Sequence, residues 1–322
     1  MLPCKLPIPL GLALSALVSA TTALAAKTDH APTVSDVLSH TQPADWRALE
    51  PAQTLVMDLD TGRVVIELAP RFAPRHVANL RTMAHEGYFN GLAILRAQDN
   101  YVVQWGDPQA DTPAQARSLG SAQTRLPAEF SIPLKGVPLQ RLPDTDGWAP
   151  EVGLVDGMPV AADPRTGRAW LAHCYGMVGA GRDNPPDSSN GAELYAVIGQ
   201  NPRGLDLNIT LVGRVVQGME FLSTQPRGHG ELGFYTPTEA KAPIRSVRLM
   251  ADMPPAERPR LEVMRTDTPA WRSLVQARRI RREAWFVYSA GRLDLCNATV
   301  PVRTPSGPGA DTPAAPASDA SK

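Results

Sequence analysis

The order of short apolar runs between positions 54 and 249 constrains this chain more than any other feature. Leu55 to Leu59 and Val64 to Leu68 lie on either side of Asp60-Thr61-Gly62-Arg63. Two such runs around a Gly-containing turn predict a β-hairpin. A helix follows. Pro74 suits its first turn, Val77, Leu80 and Ala84 recur at helical spacing, and Gly87 is placed to end it. Ala93–Arg96 and Tyr101–Trp105 predict two more strands, closed by Gly106-Asp107-Pro108. Strands resume at Gly176–Gly179, Leu194–Ile198 and Leu211–Val216, then a short helix at Met219–Leu222 and a last strand at Ile244–Leu249. This order predicts a mainly β fold, a closed antiparallel barrel with helices over its ends, a long insertion and a C-terminal helical extension.

Residues 1–26 read as an export signal. Lys5 precedes an apolar stretch from Leu6 to Val18, and Ala23-Leu24-Ala25 fits a cleavage site. The stretch is shorter than the roughly 20 residues a membrane span needs, so a periplasmic protein without stable membrane insertion is expected. Cys4 would leave with the signal. Residues 27–52 read as a linker and 53–252 as the barrel domain. Its insertion, about 109–172, is rich in Pro, Gly and Ala and shows no long element. Residues 253–300 form an extension with a helix at Pro269–Phe286 and an apolar run near Leu293–Cys296. Arg278, Arg279, Arg281 and Arg282 on that helix make a solvated face or a partner surface. From Pro301 the chain is Pro, Ala, Ser and Asp and reads as a disordered tail. Cys174 and Cys296 either bond, tying the extension to the core, or stay separate buried thiols.

Several chemistries are excluded. Lys+Arg and Asp+Glu both number 32, which gives no electrostatic case for nucleic acid or an anionic membrane. The six histidines lack metal-ligand spacing. Gly179-Ala180-Gly181 lacks the context of a phosphate loop, and Ser188 and Ser189 lack a nucleophile elbow. No cofactor or metal is expected.

Several motifs carry a family resemblance. Val64-Val65-Ile66-Glu67-Leu68, Ala73-Pro74 and Val77-Ala78-Asn79-Leu80, then Gly87-Tyr88-Phe89-Asn90-Gly91, resemble the opening of the cyclophilins. Arg96 and Val103-Gln104-Trp105-Gly106-Asp107 sit where that family has its catalytic arginine and its Gln-Gly-Gly-Asp run. Gly176-Met177-Val178, Asn190-Gly191-Ala192-Glu193-Leu194-Tyr195 and Val212-Gly213-Arg214-Val215 resemble later family blocks, in the right order. The resemblance covers about Thr54 to Leu249, apart from the insertion. It looks like a large exported bacterial branch.

The resemblance implies a cyclophilin-like barrel and peptidyl-prolyl cis-trans isomerisation of proline-containing polypeptide clients, by a monomer. The bond before proline rotates slowly, over tens to hundreds of seconds, because its C–N bond has partial double-bond character. A hydrogen bond to the prolyl nitrogen localises the lone pair and weakens that resonance. Arg96 is the implied donor, since its guanidinium stays charged and presents a rigid fork of N–H groups. Gln104 is the implied partner that holds the arginine and the substrate carbonyl. Tyr101, Val102, Tyr195 and Leu205 stand for the family's apolar pocket, and Gly181 and Arg182 for the pair that binds the residue before proline. The departures are Ile94-Leu95 for Phe-His, Glu193 for a substrate-binding Gln, Ile209 for a His and Gly204 for a Trp or Phe. A carboxylate accepts but cannot donate while ionised, so Glu193 and the insertion keep a second reading open: a catalytically weak or inactive proline-peptide binding or chaperone module of the envelope.

Overall fold

The structure is a computed structural model that describes residues 31–305; the expected export signal and most of the expected tail lie outside the described residues. In chain order the first strands are Trp46–Ala48 (β1), Thr54–Leu59 (β2), Arg63–Leu68 (β3), Ala93–Ala97 (β4) and Val102–Gly106 (β5). The insertion adds Ile132–Pro133 (β6), Gln140–Arg141 (β7), Glu151–Val155 (β8), Met158–Asp163 (β9) and Arg168–Leu171 (β10). Then come Met177–Ala180 (β11), Leu194–Val197 (β12), Leu211–Gln217 (β13), Ile244–Leu249 (β14), Glu262–Met264 (β15) and Val302–Arg303 (β16). The α-helices are Val34–Ser39 (α1), Pro74–His85 (α2), Met219–Ser223 (α3) and Pro269–Arg279 (α4). Among the described residues none is long and apolar enough to cross a membrane.

Eight strands form one antiparallel sheet in the order β14-β2-β3-β13-β11-β12-β5-β4. Its two edges meet. Ile94 N–H donates to Ala242 O at 2.9 Å, Gly91 N–H to Ile244 O at 2.8 Å, and Ile244 N–H to Leu92 O at 2.7 Å. The result is a nearly closed barrel that leaves little unpaired edge. Strand alternation fills it: Leu55, Met57, Val64, Ile66, Val103, Trp105, Leu194 and Ala196 share the interior core. α2 runs where the apolar stripe predicted, with Val77, Leu80 and Ala84 buried. Glu129 accepts the backbone N–H groups of Arg75 and His76, both at 3.0 Å, and so caps its first turn.

The expected linker is folded. α1 opens with a capping box between Thr33 and Asp36, and β1 pairs with β15. The extension explains an oddity of the first hairpin, apolar at consecutive positions. Val56 and Val65 point out of the barrel, yet both are fully buried, against Met250, Met253, Leu261 and Val263. The first residues of the expected tail are also paired, Val302 with Val263 and Arg303 with Glu262.

The largest correction is the insertion. It holds a five-stranded antiparallel sheet, ordered β6-β10-β9-β8-β7. Asp156 and Gly157 join β8 to β9 with φ of 50° and 82°, the two-residue turn that suits strand twist. Its Val160, Trp170 and Leu171 share a second core with Trp271, Leu274 and Val275 of α4 and with Tyr195 and Val102 of the barrel. α4 ends at Arg279, short of the predicted Phe286. Beyond it Trp285, Val287 and Tyr288 are exposed, so no apolar stripe remains to bury. The arginine cluster divides: Arg279 pairs with Asp144 at 2.7 Å and Arg281 with Glu283 at 3.0 Å. Cys174 and Cys296 form a disulfide that ties the extension to the barrel domain.

Candidate active site

Sheet register builds the site. Arg96 lies opposite Gln104, Gln104 opposite Tyr195, and Tyr195 opposite Gly179, one row across β4, β5, β12 and β11. The row faces outward, since its strand neighbours Val103, Trp105, Leu194 and Ala196 face the core. A register shift between Ile94 and Arg96 aims the arginine into this row. Glycines make room for the larger members. A Cβ on Gly179 would stand 2.3 Å from the Tyr195 phenol, and one on Gly106 would stand 2.7 Å from Glu193 Cγ.

Arg96, Gln104, Tyr101, Val102, Gly181, Arg182, Glu193, Tyr195, Leu205 and Ile209 all line one cleft of about 620 Å³. These residues come from segments up to 113 positions apart, and folding brings every one of them to this cleft. Arg96 is half-buried and held in place. Its Nε donates to Leu232 O at 2.6 Å, one Nη to Gln104 Oε1 at 3.3 Å and the other to Gln98 Oε1. That uses three of the five guanidinium N–H groups and leaves two for a ligand. Tyr101 and Phe234 flank the guanidinium, with ring centroids at 5.4 and 5.2 Å. Burial pulls the Arg96 pKa below the ordinary arginine value, with Tyr101 opposing.

Gln104 links Arg96 to Glu193. Its Oε1 accepts from the arginine and its Nε2 donates to Glu193 Oε2 at 2.6 Å. This pattern assigns the amide orientation. Burial raises the Glu193 pKa; the Gln104 bond opposes that, and Asp111, Asp183 and Asp107 add to it. Arg182 lines the cleft, but its guanidinium donates to the backbone oxygens of Asn208 at 2.8 Å, Asp183 at 2.6 Å and Asn184 at 3.0 Å. It holds its own loop closed.

The pocket floor rests on residues the sequence did not mark. Tyr195 Oη meets His173 Nε2 at 2.8 Å, and His173 Nδ1 meets Asp206 Oδ1 at 2.9 Å. With the ring proton on Nδ1, His173 donates to the carboxylate and accepts from the phenol. Burial holds the Tyr195 pKa well above the ordinary tyrosine value, so the phenol keeps its proton. Asp206 also pairs with Arg203, which pairs with Asp146 of the insertion at 2.9 Å. Burial works against the Arg203 charge, but its bonds to Asp146 and Asp206 prevail and its pKa lies above the ordinary value. No local spacing announces His173 or Asp206, because each acts through a contact made across the chain. Phe234 and Leu232 were missed for the same reason.

A family model described as "Cyclophilin type peptidyl-prolyl cis-trans isomerase/CLD" matches residues 54–248. A probable peptidyl-prolyl cis-trans isomerase of Brucella suis biovar 1 is 27% identical over 187 residues, 56% of this chain and 75% of that protein. A putative peptidyl-prolyl cis-trans isomerase of Staphylococcus saprophyticus is 39% identical over 56 residues, 17% of this chain and 28% of that protein. The crystal structure of a cyclophilin from Hirschia baltica shares the fold, with a TM-score of 0.64 at 22% identity over 86% of this chain and 99% of that one. That share exceeds the 54–248 segment, so the common fold reaches into the parts outside it. The family match spans more than half of the sequence and contains the row from Arg96 to Gly179: the chain belongs to the cyclophilin-type peptidyl-prolyl cis-trans isomerases, and that is its enzyme class.

Proposed function

We propose that this protein isomerises Xaa-Pro bonds of exported polypeptides by non-covalent catalysis. Arg96 donates a hydrogen bond to the prolyl nitrogen, and the proline ring rests on Tyr101, Val102, Tyr195, Leu205 and Ile209. The observation that carries this reading is the Arg96 guanidinium, fixed over the apolar floor by Gln104 and Leu232 with N–H groups to spare. A donor already in place needs no reorganisation as the bond rotates. The Gln104 carbonyl orients Arg96, and Glu193 orients Gln104. Export is supported by the leader-like residues 1–26 and by the Cys174–Cys296 disulfide, a bond that persists in oxidising compartments. A role in client folding follows from the slowness of the uncatalysed bond.

The alternative, a binding module with little turnover, is favoured by one contact. Glu193 takes one of the two Gln104 amide N–H groups that a substrate backbone would otherwise meet. Line-shape exchange of a short Ala-Pro peptide in NMR separates the two, with wild type and Arg96→Ala side by side. Enhanced exchange that falls about 10- to 100-fold in the variant, the worth of a charge-assisted hydrogen bond or two, supports catalysis. Shift perturbation without enhanced exchange selects the binding module.

A further inference from the structure

A second cleft of about 560 Å³ lies behind the first, lined by Trp148 of the insertion, His173 and Tyr175 beside the disulfide, Gln200, Arg203, and Asn297 of the extension. The two clefts share walls. Tyr195 lines the first and its hydrogen-bond partner His173 lines the second. Leu205 lines the first and Arg203 the second, and the residue between them is Gly204, exposed and without a side chain. A Cβ there would meet nothing nearer than the Trp148 ring, at 4.0 Å. The surface between the clefts is therefore open.

The second cleft is built rather than incidental. Asp146 accepts the Trp148 N–H at 2.8 Å and pairs with the buried Arg203, whose guanidinium lies 5.8 Å from the Trp148 ring. On the other side the disulfide fixes Cys174, and with it the adjoining Tyr175, to the extension. Trp148 and Tyr175 nevertheless stand 59% and 53% exposed, although aromatic rings bury large areas when they can. The side-chain amides of Gln200 and Asn297 make no hydrogen bond among the described residues and are available to a peptide backbone.

We propose that the second cleft is a subsite for the same polypeptide chain, taking an aromatic or large aliphatic side chain a few residues from the proline. The occupant follows from continuity. A chain whose proline sits over Arg96 leaves the first cleft across Gly204 and meets Trp148. The insertion and the extension, which lie outside the matched residues or inside the long loop, together supply this subsite and so set which prolines are reached. The inference rests on the isomerase reading only for the placement of the proline.

The test compares three peptides by NMR titration and exchange: a short Ala-Pro tetrapeptide, and the same core extended by four residues ending in Phe on the amino side or on the carboxyl side. One extended peptide is expected to bind wild type about tenfold tighter than the short one, the worth of a stacked aromatic contact. Trp148→Ala and Tyr175→Ala, both at exposed positions, should erase that advantage and leave the short peptide unchanged. The inference is overturned if neither extension improves binding, or if the advantage survives both variants. A short peptide that shows no exchange, beside extended peptides whose binding depends on Trp148, would overturn the isomerase reading and leave the subsite standing.

Discussion

Cys296→Ser opens the disulfide that ties the extension back to the barrel domain. The bonded residues lie 122 positions apart. Chain entropy for a loop of that length gives about 5 kcal/mol of stability at 25 °C, because the cross-link removes conformations chiefly from the unfolded chain. The native contacts around it survive the change. Leu293, Leu295 and Ala298 stay buried in the second core, and the Cys174 thiol left behind is a small apolar group at an already buried place. The loss should therefore appear in unfolding and not in the native site. Urea denaturation followed by tryptophan emission, with wild type oxidised and the variant beside it, should show a loss of about 5 kcal/mol, and a melting temperature lower by roughly 10 °C for a body of this size. Reductant should bring wild type down to the variant. Exchange of the short Ala-Pro peptide should be unchanged, because no first-cleft residue is touched. A stability difference below about 1 kcal/mol would refute the argument, since the loop-entropy term is large for so long a loop.

Three further changes probe the site and its support. Tyr195→Phe removes the phenol and leaves His173 Nε2 buried without a partner, at a cost of about 1–3 kcal/mol in chemical denaturation; adding His173→Leu should not double that loss. Glu193→Gln removes a carboxyl whose pKa is raised in the folded protein. The folded state holds that proton more tightly than the unfolded chain, so wild type loses this contribution as pH rises from the ordinary carboxylate range through the raised value. The melting temperature of the variant should gain on wild type across that window, and parallel pH profiles would contradict the assignment. Glu67→Ala leaves Arg214, bonded to it at 3.0 Å across β3 and β13, as an unpaired buried charge; a loss of about 3–5 kcal/mol by urea midpoint is expected.

The barrel was legible in the order of short apolar runs, and the row that lines the first cleft was legible through motifs that resemble the cyclophilins. Inward Val103 and Trp105 put Val102 and Gln104 outward, and inward Leu194 and Ala196 do the same for Glu193 and Tyr195. Alternation places these side chains in the folded strands, but the consecutive apolar residues Tyr101-Val102-Val103 and Leu194-Tyr195-Ala196-Val197 hide it in the sequence. Even the insertion carried a local signal that went unread. Asp156-Gly157 between the apolar runs Val152–Val155 and Met158–Ala162 is a hairpin mark, hidden by the Pro and Gly around it.

Other features had no local signal to read. The sequence left open whether Cys174 and Cys296 bond, and only the docking of the extension on the insertion's core brings them together. Val56 and Val65 look like surplus hydrophobicity until the extension covers them. His173, Asp206, Arg203 and Asp146 are unremarkable polar residues along the chain, and they become one buried hydrogen-bonded network only when the insertion folds behind Tyr195. The sequence by itself determined the run of short strands and, through motifs that resemble the cyclophilins, which side chains line the cleft, because both are carried by short local segments. Tertiary structure decided what holds those side chains and what lies beside them, because long-range packing between segments far apart in the chain leaves no periodic trace in either segment.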